Sequence, residues 1–354
     1  LNFFGLLCKE FGYEAVMLAH HADDHAETVL KRIFEGAPIA HLCGIKQESE
    51  ILSLSVWRPL LNITKKQILE WLEKKDLKGF DDSTNYDTKF LRARMRLELL
   101  PHLRTLFGKE IAQSLCYLGK ESSELINYLD EQVKPYLSLS LKGPFGAVLD
   151  MSQKRPRASF ELKHLIRVFC KGEEVSLSRE SLEEAVKQVA EGVANKRLDN
   201  KFVFIDRYKL FILKQSNFSL PLDYIELPED GDIVFGAWKI TVEKINSDKN
   251  IKKIDLSDSI EVLAKSKTGW QSVFIGSCTV YLPDGHFKIA KPSSDMRYNE
   301  RVLLSHYWSQ HKVPNFLRNF VPVIQAEDCI QHEFLSGCYK KDFIPIKRIS
   351  ITFC

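Results

Sequence analysis

The sequence predicts an α/β fold with a parallel sheet for residues 1–108, followed by α+β domains in the rest of the chain. Residues 15–19 form a short apolar run, which is typical of a buried strand, and a helical pattern of apolar residues runs from Ala26 to Phe34. A cluster of histidines and carboxylates lies between them. Ligands of open α/β sheets bind at the carboxyl ends of strands, so this junction is where we first expect a site.

The elements of residues 1–108 follow from pattern and from turn chemistry. Leu52, Leu54 and Val56 alternate with serines, which indicates a second strand. Thr64 and Gln67 fit a capping box that opens a helix. In order, we expect a helix over 1–10, a strand over 15–19, a helix through 26–34, a strand over 52–56, a capped helix from 64, a turn segment over 81–87 and a helix over 90–96.

The later elements are expected to be mixed. Pro135 and then Gly143-Pro144 should break the long helix that begins near residue 109. From about residue 226 the pattern becomes rich in strands. In order, we expect helices over 109–134, 160–170 and 178–191, a hairpin over 201–213, strands over 233–240, 273–275 and 278–282, and a helix over 301–311.

The cluster His-His-Ala-Asp-Asp-His-Ala-Glu-Thr over residues 20–28 is the strongest candidate site. His20, Asp24, Glu27 and Lys31 are spaced four, three and four apart, so on a helix they would share one face. One alternative is a set of helix-start carboxylates beside solvated histidines. Another is a divalent metal site, because histidine and aspartate are common ligands.

Arginines form a second candidate feature. Arg92 and Arg96 are four residues apart, so a helix would present both guanidiniums on one face. Paired guanidiniums suit phosphate because each can bind it with two hydrogen bonds. The alternative is a solvated basic helix face. A short basic loop, Lys154-Arg155-Pro156-Arg157, is weighed against the same alternative.

Bulk properties restrict the class of protein. The net charge of +3 is mild, so nucleic-acid affinity would have to come from local basic surfaces. The eight cysteines include no Cys-x-x-Cys pair, which disfavours a zinc ribbon and fits a reducing cytosol. No apolar stretch approaches the length of a membrane span, and no signal peptide is visible. We therefore expect a cytoplasmic protein with no membrane partner.

Four linked motifs occur in order within roughly residues 1–104. They are His20-His21-x-Asp23-Asp24-x-x-Glu27-Thr28, Arg58-Pro59-Leu60-Leu61, Asp82-Ser83-Thr84-Asn85-x-Asp87 and Arg92-x-Arg94-x-Arg96. Together they resemble the bacterial tRNA(Ile)-lysidine synthases, which are PP-loop ATP-pyrophosphatase enzymes. A weaker similarity to the C-terminal domain of that family is Val313-Pro314 with Arg318 and Pro322.

The resemblance implies a reaction, its cofactors and its partners. ATP and Mg²⁺ would be used to adenylate the C2 oxygen of the wobble cytidine in an isoleucine tRNA with a CAU anticodon, and free lysine would then displace AMP from C2 to give lysidine. The family also suggests a homodimer. Its pattern places His20 near the nucleotide, Asp24 and Glu27 at the lysine or the active centre, and Arg92 at phosphate or adenylate. Arg96 is a further candidate for ATP, and Asp82, Ser83 and Asn85 would order the turn that presents Arg92.

Two departures from the family pattern qualify these expectations. The phosphate-gripping loop Ser-Gly-Gly-x-Asp-Ser does not occur in the sequence, which opens at Leu1. Since the backbone N–H groups of such a loop cradle phosphate, we expect poor ATP binding. The sequence also suggests a PP-loop domain without its first strands, and hence a fragment of a longer protein. Ala93 also stands where the family usually has asparagine, so a local hydrogen bond would be lost.

Three divisions and three functional alternatives follow. We expect a partial PP-loop catalytic domain over 1–108, a linker helix with a tRNA-binding or specificity domain over 109–225, and a C-terminal tRNA-binding domain over 226–354. The alternatives to a lysidine synthase are a tRNA-binding remnant without catalysis, a metal-dependent phosphohydrolase built on the His/Asp cluster, and a PP-loop tRNA thiolase. The thiolases usually rely on paired cysteines, which this sequence lacks.

Overall fold

The architecture is taken from a computed structural model that describes most of the chain, which clusters into two compact units, Leu1–Glu131 and Gln132–Cys354. The described residues are 2–80, 86–198, 202–214, 220–245, 269–274, 276–293, 295–298, 302–327, 329–337 and 346–353. The elements of the first unit are α1 (Asn2–Phe11), β1 (Val16–Met17), α2 (Ala22–Phe34), a 3₁₀ turn (Ile39–His41), β2 (Glu48–Ile51), β3 (Leu54–Trp57), α3 (Lys65–Lys74), α4 (Leu91–Arg94), a π turn (Met95–Leu99), α5 (Leu100–Phe107) and α6 (Ile111–Leu137), which runs on into the second unit.

The first unit carries the parallel strand pairing that the sequence predicts. Its sheet has the order β1-β3-β2, with Val16 of β1 opposite Val56 of β3 in a parallel pair. β2 completes the sheet as an antiparallel neighbour of β3. Ala26, Val29 and Leu30 of α2 are buried in one cluster with Met95 and Leu115. This core fixes α2 and the π turn together, and both carry candidate site residues.

The second unit begins with a five-stranded antiparallel sheet and two helices. The elements are β4 (Ser140–Gly143), β5 (Gly146–Asp150), α7 (Ser159–Gly172), α8 (Arg179–Glu191), β6 (Lys196–Leu198), β7 (Val203–Asp206) and β8 (Lys209–Leu213). The sheet order is β4-β5-β8-β7-β6. Buried residues of α7 and α8, among them Leu165, Phe169 and Val189, form one core with Leu149 and Ile205 of the sheet.

The remainder of the second unit contains two more sheets around an aromatic core. Trp238 and Phe274 are buried in this core with Trp308. The elements of this part are β9 (Ile225–Glu226), β10 (Gly231–Phe235), β11 (Trp238–Lys244), α9 (Trp270–Phe274), β12 (Ser277–Leu282), β13 (Lys288–Ala290), β14 (Arg297–Tyr298), β15 (Val302–Leu303), α10 (Leu304–Gln310), a 3₁₀ turn (Asn315–Leu317), β16 (Val323–Ala326), β17 (Cys329–Glu333) and β18 (Lys347–Phe353). The two sheets have the orders β10-β11-β18-β12 and β15-β14-β17-β16-β13-β9.

Several sequence predictions differ from the observed elements near turns. The strand expected over 52–56 is instead a hairpin, because Leu52 and Ser53 both adopt positive φ and turn β2 into β3. The strand expected over 233–240 is likewise split by Gly236, at φ +62°, into β10 and β11. In each case a run of apolar or alternating residues hid a two-residue turn.

Two predictions about helices also require correction. Val273 was expected in a strand, yet it lies in α9, where it is fully buried. A short apolar run does not distinguish a buried strand from a buried helical turn. α6 also continues through Pro135 to Leu137. Because the helix ends two residues later, the proline disturbs only its last turn.

The Val313-Pro314 motif with Arg318 has a structural role. The Arg318 guanidinium donates from Nη2 and Nε to the carbonyl oxygen of Val313, at 2.8 and 3.2 Å. Val313 itself is buried. This pairing closes the segment that joins α10 to β16. In the described part of the chain, no helix is long and apolar enough to cross a membrane.

A glycine in α6 provides a test of packing behind the candidate site. A Cβ at Gly119 would lie 2.5 Å from Nε2 of His25, whereas a Cβ at Gly5 of α1 meets nothing within 4 Å. We expect Gly119→Ala to lower the free energy of unfolding by about 1–3 kcal/mol through overpacking, despite the better helix propensity of alanine. Urea unfolding of Gly119→Ala, with Gly5→Ala as the control, checks this. If Gly119→Ala were as stable as the wild type or more stable, the close packing of Gly119 against His25 would be contradicted.

Candidate functional site

The candidate site begins where β1 ends and α2 starts. His21 is the N-cap of α2, with an extended backbone. Its backbone N–H donates to Oδ2 of Asp24 at 2.9 Å, which fixes the carboxylate at the first turn of the helix. A carboxylate in this position also benefits from the helix dipole. The helix therefore starts two residues after His20, and His20 lies ahead of it.

Arg96 binds the two carboxylates that the sequence assigned to the active centre. Its Nε lies 2.7 Å from Oε1 of Glu27, and its Nη2 lies 3.1 Å from Oε2 of the same carboxylate. The same Nη2 lies 3.0 Å from Oδ1 of Asp24. The Glu27 side chain is only 1% exposed, whereas that of Arg96 is 37% exposed. A forked ion pair of this kind holds both carboxylates in one orientation.

The electrostatics of this cluster follow from burial and from the ion pair. Burial raises the pKa of Glu27, and the hydrogen bond from Arg96 opposes that rise. In turn, the hydrogen bond to Glu27 raises the pKa of Arg96, which burial opposes. The charge of Asp24 raises both pKa values, because it repels the ionised form of Glu27 and attracts the cationic form of Arg96. Arg96 thus contributes most to keeping Glu27 ionised, and the charge of Arg92 adds a smaller effect in the same direction.

His20 lies beside the cluster in a positive surrounding. Burial lowers its pKa, the charge of Asp24 opposes this, and the charges of Arg58 and Arg92 lower it further. Its Nδ1 is buried without a hydrogen-bond partner among the described residues. Arg92 is exposed on α4, so its guanidinium is accessible while its charge acts on His20 and Glu27. A neutral imidazole near an exposed arginine suits the neighbourhood of a phosphate or nucleotide.

The pH behaviour of His20 is a direct test of this arrangement. Since the folded protein favours neutral imidazole, the free energy of unfolding should decrease as the pH falls through the ordinary histidine pKa. We expect an NMR titration to place the pKa of His20 below its ordinary value. Arg92→Met should raise that pKa, because it removes a nearby positive charge. Lys66→Met, on an exposed side chain of α3, should leave it unchanged; an equal shift in both variants would contradict the assigned proximity.

Other residues of the cluster hold the segments in place. Oδ2 of Asp23 accepts a hydrogen bond from the backbone N–H of Lys65 at 2.7 Å, which joins the starts of α2 and α3. The capping box predicted for α3 is confirmed, with the Gln67 N–H donating to Oγ1 of Thr64 at 3.2 Å. Lys31 follows Glu27 by four residues in α2, as its expected place on that helix face requires, and its Nζ pairs with Oε1 of Glu35 at 3.5 Å.

The Arg58-Pro59-Leu60-Leu61 motif is also explained structurally. Arg58 is buried, and its Nη1 donates to the carbonyl oxygen of Lys46 and to Oγ of Ser49, both at 2.9 Å. It therefore ties the end of β3 to the segment that leads into β2. The positive charge of Arg58 also lowers the pKa of His20, so this residue affects both the sheet and the candidate site.

Sequence reasoning missed the supports behind α2. Nδ1 of His25 lies 3.0 Å from the carbonyl oxygen of Ile45, and Sγ of Cys116 lies 3.4 Å from the carbonyl oxygen of Ala22. Gly119 of α6 is in close contact with His25. The sequence shows His25 within the cluster, but the partners of His25 are distant along the chain.

Asp82, Ser83 and Asn85, which were expected to order the turn before Arg92, lie outside the described residues. Ala93, which stands where the family usually has asparagine, is buried.

Comparison with known proteins settles the family. Residues 2–103 match the model of the PP-loop domain. A tRNA(Ile)-lysidine synthase of Protochlamydia amoebophila is 33% identical over 344 residues, which cover 96% of this chain and 72% of the relative. The chain belongs to the tRNA(Ile)-lysidine synthase family. The resemblance inferred from the motifs, and the α/β nucleotide-binding fold class with β-rich domains after it, are thereby confirmed.

Two further relatives have the same name. The tRNA(Ile)-lysidine synthase of Chlamydia muridarum is 44% identical over 163 residues, which cover 46% of this chain and 51% of that protein. The one of Chlamydia trachomatis serovar D is 38% identical over 200 residues, which cover 56% of this chain and 62% of that protein. The family supports ligase chemistry, ATP use through a PP-loop domain and lysidine formation, and it does not favour the remnant or phosphohydrolase alternatives.

Proposed function

We propose that this chain carries the lysine-transfer centre of an ATP-dependent lysidine synthase. The substrates are free lysine and an isoleucine tRNA with a CAU anticodon, whose wobble cytidine is adenylated on its C2 oxygen before lysine attacks C2 and displaces AMP. The observation that carries the proposal is the cluster of Asp24, Glu27 and Arg96 at the carboxyl end of β1, within the residues that match the PP-loop domain. This is the position at which α/β sheets bind their ligands.

Each proposed role follows from the charge and accessibility of the side chain. Asp24 and Glu27 supply the negative charge that a cationic lysine requires, and Arg96 keeps both carboxylates oriented. Arg92 is exposed and meets the phosphate or the adenylate. His20 lies near the nucleotide, where a largely neutral imidazole adds no further positive charge. A role of Arg96 toward ATP phosphate stays a prediction, since in this structure its guanidinium is bound to carboxylates.

The transfer step requires a deprotonated amine. The lysine nitrogen forms a bond to C2 of the cytidine, the bond from C2 to the adenylate oxygen breaks, and AMP leaves with the electron pair. The attacking nitrogen loses one proton to solvent water as the new bond forms. Positioning the amine and stabilising charge on the leaving group are the main contributions that a protein can make to such a step. The carboxylates serve the first of these tasks and Arg92 the second.

Mg²⁺ is proposed as a companion of ATP rather than as an ion with its own protein site. Among the described residues, no group of three histidine, cysteine, aspartate or glutamate side chains could hold a metal ion. Asp23 and Asp24 are already engaged by the Lys65 N–H and by Arg96. Mg²⁺ in nucleotide enzymes usually takes few protein carboxylates together with phosphate oxygens and water. No step is therefore assigned to protein-bound Mg²⁺ here.

The proposal also covers the domain division, the location and the self-association of the protein. The three divisions at residues 1–108, 109–225 and 226–354 would separate catalysis from two tRNA-binding domains. The protein would act in the cytoplasm and pair with a second copy of itself. Sedimentation analysis of the purified chain tests the pairing, and a monomer at micromolar concentration would reject it.

The decisive assay is transfer of radiolabelled lysine to tRNA. Because the sequence motifs predict weak ATP binding, the chain is incubated with ATP at millimolar concentration so that low affinity does not limit the reaction. Mg²⁺ and either of two isoleucine tRNA transcripts, one with a CAU anticodon and one with GAU, are added. We expect ATP-dependent incorporation of lysine into the CAU transcript alone. A chain that binds tRNA without consuming ATP would instead support the non-catalytic remnant. Incorporation into both transcripts would contradict the proposed substrate.

A further inference from the structure

A groove beside the start of α7 has the chemistry of an anion-binding surface. It has a volume of about 1060 Å³ and lies within the second unit. Its lining includes Lys154, Arg155 and Arg157 from the loop between β5 and α7, and Lys187 from α8. Apart from Arg155, which is half-buried, these cations are exposed.

These four cations have no carboxylate partner among the described residues, in contrast to their neighbours. Nζ of Lys142 is 2.5 Å from Glu173, and Nζ of Lys163 is 2.5 Å from Glu183. Nζ of Lys209 is 3.8 Å from Asp150. Glu161 and Glu183 also line the groove, but the charge of Glu183 is already balanced by Lys163. The groove therefore keeps an excess of positive charge, whereas the charges of Lys142, Lys163 and Lys209 are balanced by carboxylates.

The basic loop is held in shape. The guanidinium of Arg155 lies 4.2 Å from the ring centre of Tyr208, and Nζ of Lys154 lies 5.5 Å from that of Tyr136. Pro156, which lies between Arg155 and Arg157 in the sequence, is buried. Cation–π contacts leave the N–H groups of an arginine at the ring edge free to donate. The loop thus presents its charges in a fixed arrangement at little further cost in conformational entropy.

The backbone adds donors at the same place. α7 begins at Ser159, and its N-cap, Ala158, has no side chain that could accept from the first-turn N–H groups. Such N–H groups bind anions readily, and the helix dipole favours negative charge there. The cations, the groove and the uncapped helix start all point to the same chemical class of ligand.

We propose that this groove, formed by Lys154, Arg155, Arg157 and Lys187, binds the sugar-phosphate backbone of the tRNA substrate. This inference rests on the proposed function for the identity of the RNA. Cations spread along an open groove suit successive phosphates of a strand better than they suit one small anion. A concave surface also fits a strand better than it fits a flat anionic membrane. The contacts would position the tRNA without reading its sequence.

The test compares two double variants of equal charge change. Lys154→Glu with Arg157→Glu reverses two groove charges, whereas Lys196→Glu with Lys214→Glu reverses two exposed charges of the same unit outside the groove. Affinity for the CAU isoleucine tRNA is measured by fluorescence anisotropy at several salt concentrations. We expect the groove variant to lose at least about tenfold in affinity. Its log–log salt slope should also fall by about 1.4–1.8, as expected for two lost phosphate contacts.

Several outcomes would overturn the inference. Equal losses in both variants would show a general charge effect, and unchanged binding of the groove variant would remove the groove from tRNA recognition. Binding to anionic phospholipid vesicles that only the groove variant loses, with tRNA affinity unchanged, would assign the groove to membranes. If the groove variant fails to fold, Lys154→Gln with Arg157→Gln replaces it. Retained tRNA binding without lysine transfer would instead reject the proposed reaction and leave the groove intact.

Discussion

Replacing Arg96 with methionine should impair both the stability and the chemistry of the site. The substitution leaves Glu27 buried without its cation, so the pKa of Glu27 should rise further above its ordinary range. Breaking a fully buried ion pair costs roughly 3–5 kcal/mol. Because Arg96 is 37% exposed, we expect a smaller loss of about 2–3 kcal/mol in the free energy of unfolding. Lysine transfer should fall about 100-fold, as expected when a reacting group loses its position.

Two further variants separate the causes. Arg96→Lys keeps the positive charge but loses the forked geometry, so it should recover stability more than transfer. Arg94→Met removes an exposed arginine two positions away and should change neither. Urea unfolding and the lysine-transfer assay are the measurements. If Arg96→Met and Arg94→Met showed the same stability and the same rate of lysine transfer, the pairing of Arg96 with the two carboxylates would contribute to neither.

Truncating Phe145 should have the largest effect on the stability of the second unit. Its ring is fully buried and lies 5.6 Å from the ring centres of both Phe274 and Phe353. It also lies 6.2 Å from that of Trp238. Removing a buried aromatic ring costs about 3–5 kcal/mol, from lost transfer energy and from the cavity left behind. We expect Phe145→Ala to lose that amount, with the loss measured by urea unfolding.

An exposed phenylalanine of the same unit provides the control. Phe160 lies in the first turn of α7 and is 43% exposed. Phe160→Ala should change the free energy of unfolding by less than about 1 kcal/mol, because little buried area is lost and alanine favours the helix. Similar losses in the two variants would show that Phe145 is not a centre of the core.

The sequence predicted the place of the candidate site but not its internal pairing. His20, Asp24 and Glu27 could be recognised from motif density at the end of a strand, because the site residues and the chain turn are local there. The partner of Glu27 could not, since Arg96 is 69 residues away. The spacing of Arg92 and Arg96 predicted one shared face. The π turn from Met95 to Leu99 follows α4, and Arg96 meets the carboxylates while Arg92 is exposed.

The fold predictions failed where local patterns were ambiguous. Periodicity identified α7, α8 and the hairpin of β7 and β8, because each has a clear amphipathic or alternating pattern. It did not distinguish the buried turn of α9 from a strand. Nor did it detect the positive φ of Leu52, since a leucine seldom adopts that conformation and its surroundings must impose it. Sheet order depends on contacts between distant segments, which a single sequence does not display.

The most direct test of the central claim is the dependence of transfer on lysine concentration in wild type and in Asp24→Asn. If the cluster receives lysine, the substitution removes a negative charge from the binding site, and the KM for lysine should rise about 10- to 100-fold while the KM for tRNA stays unchanged. Glu35→Gln, at the exposed end of the same helix, is the control and should match the wild type. An unchanged KM for lysine in Asp24→Asn, with tRNA binding intact, would contradict the assignment of this cluster to lysine.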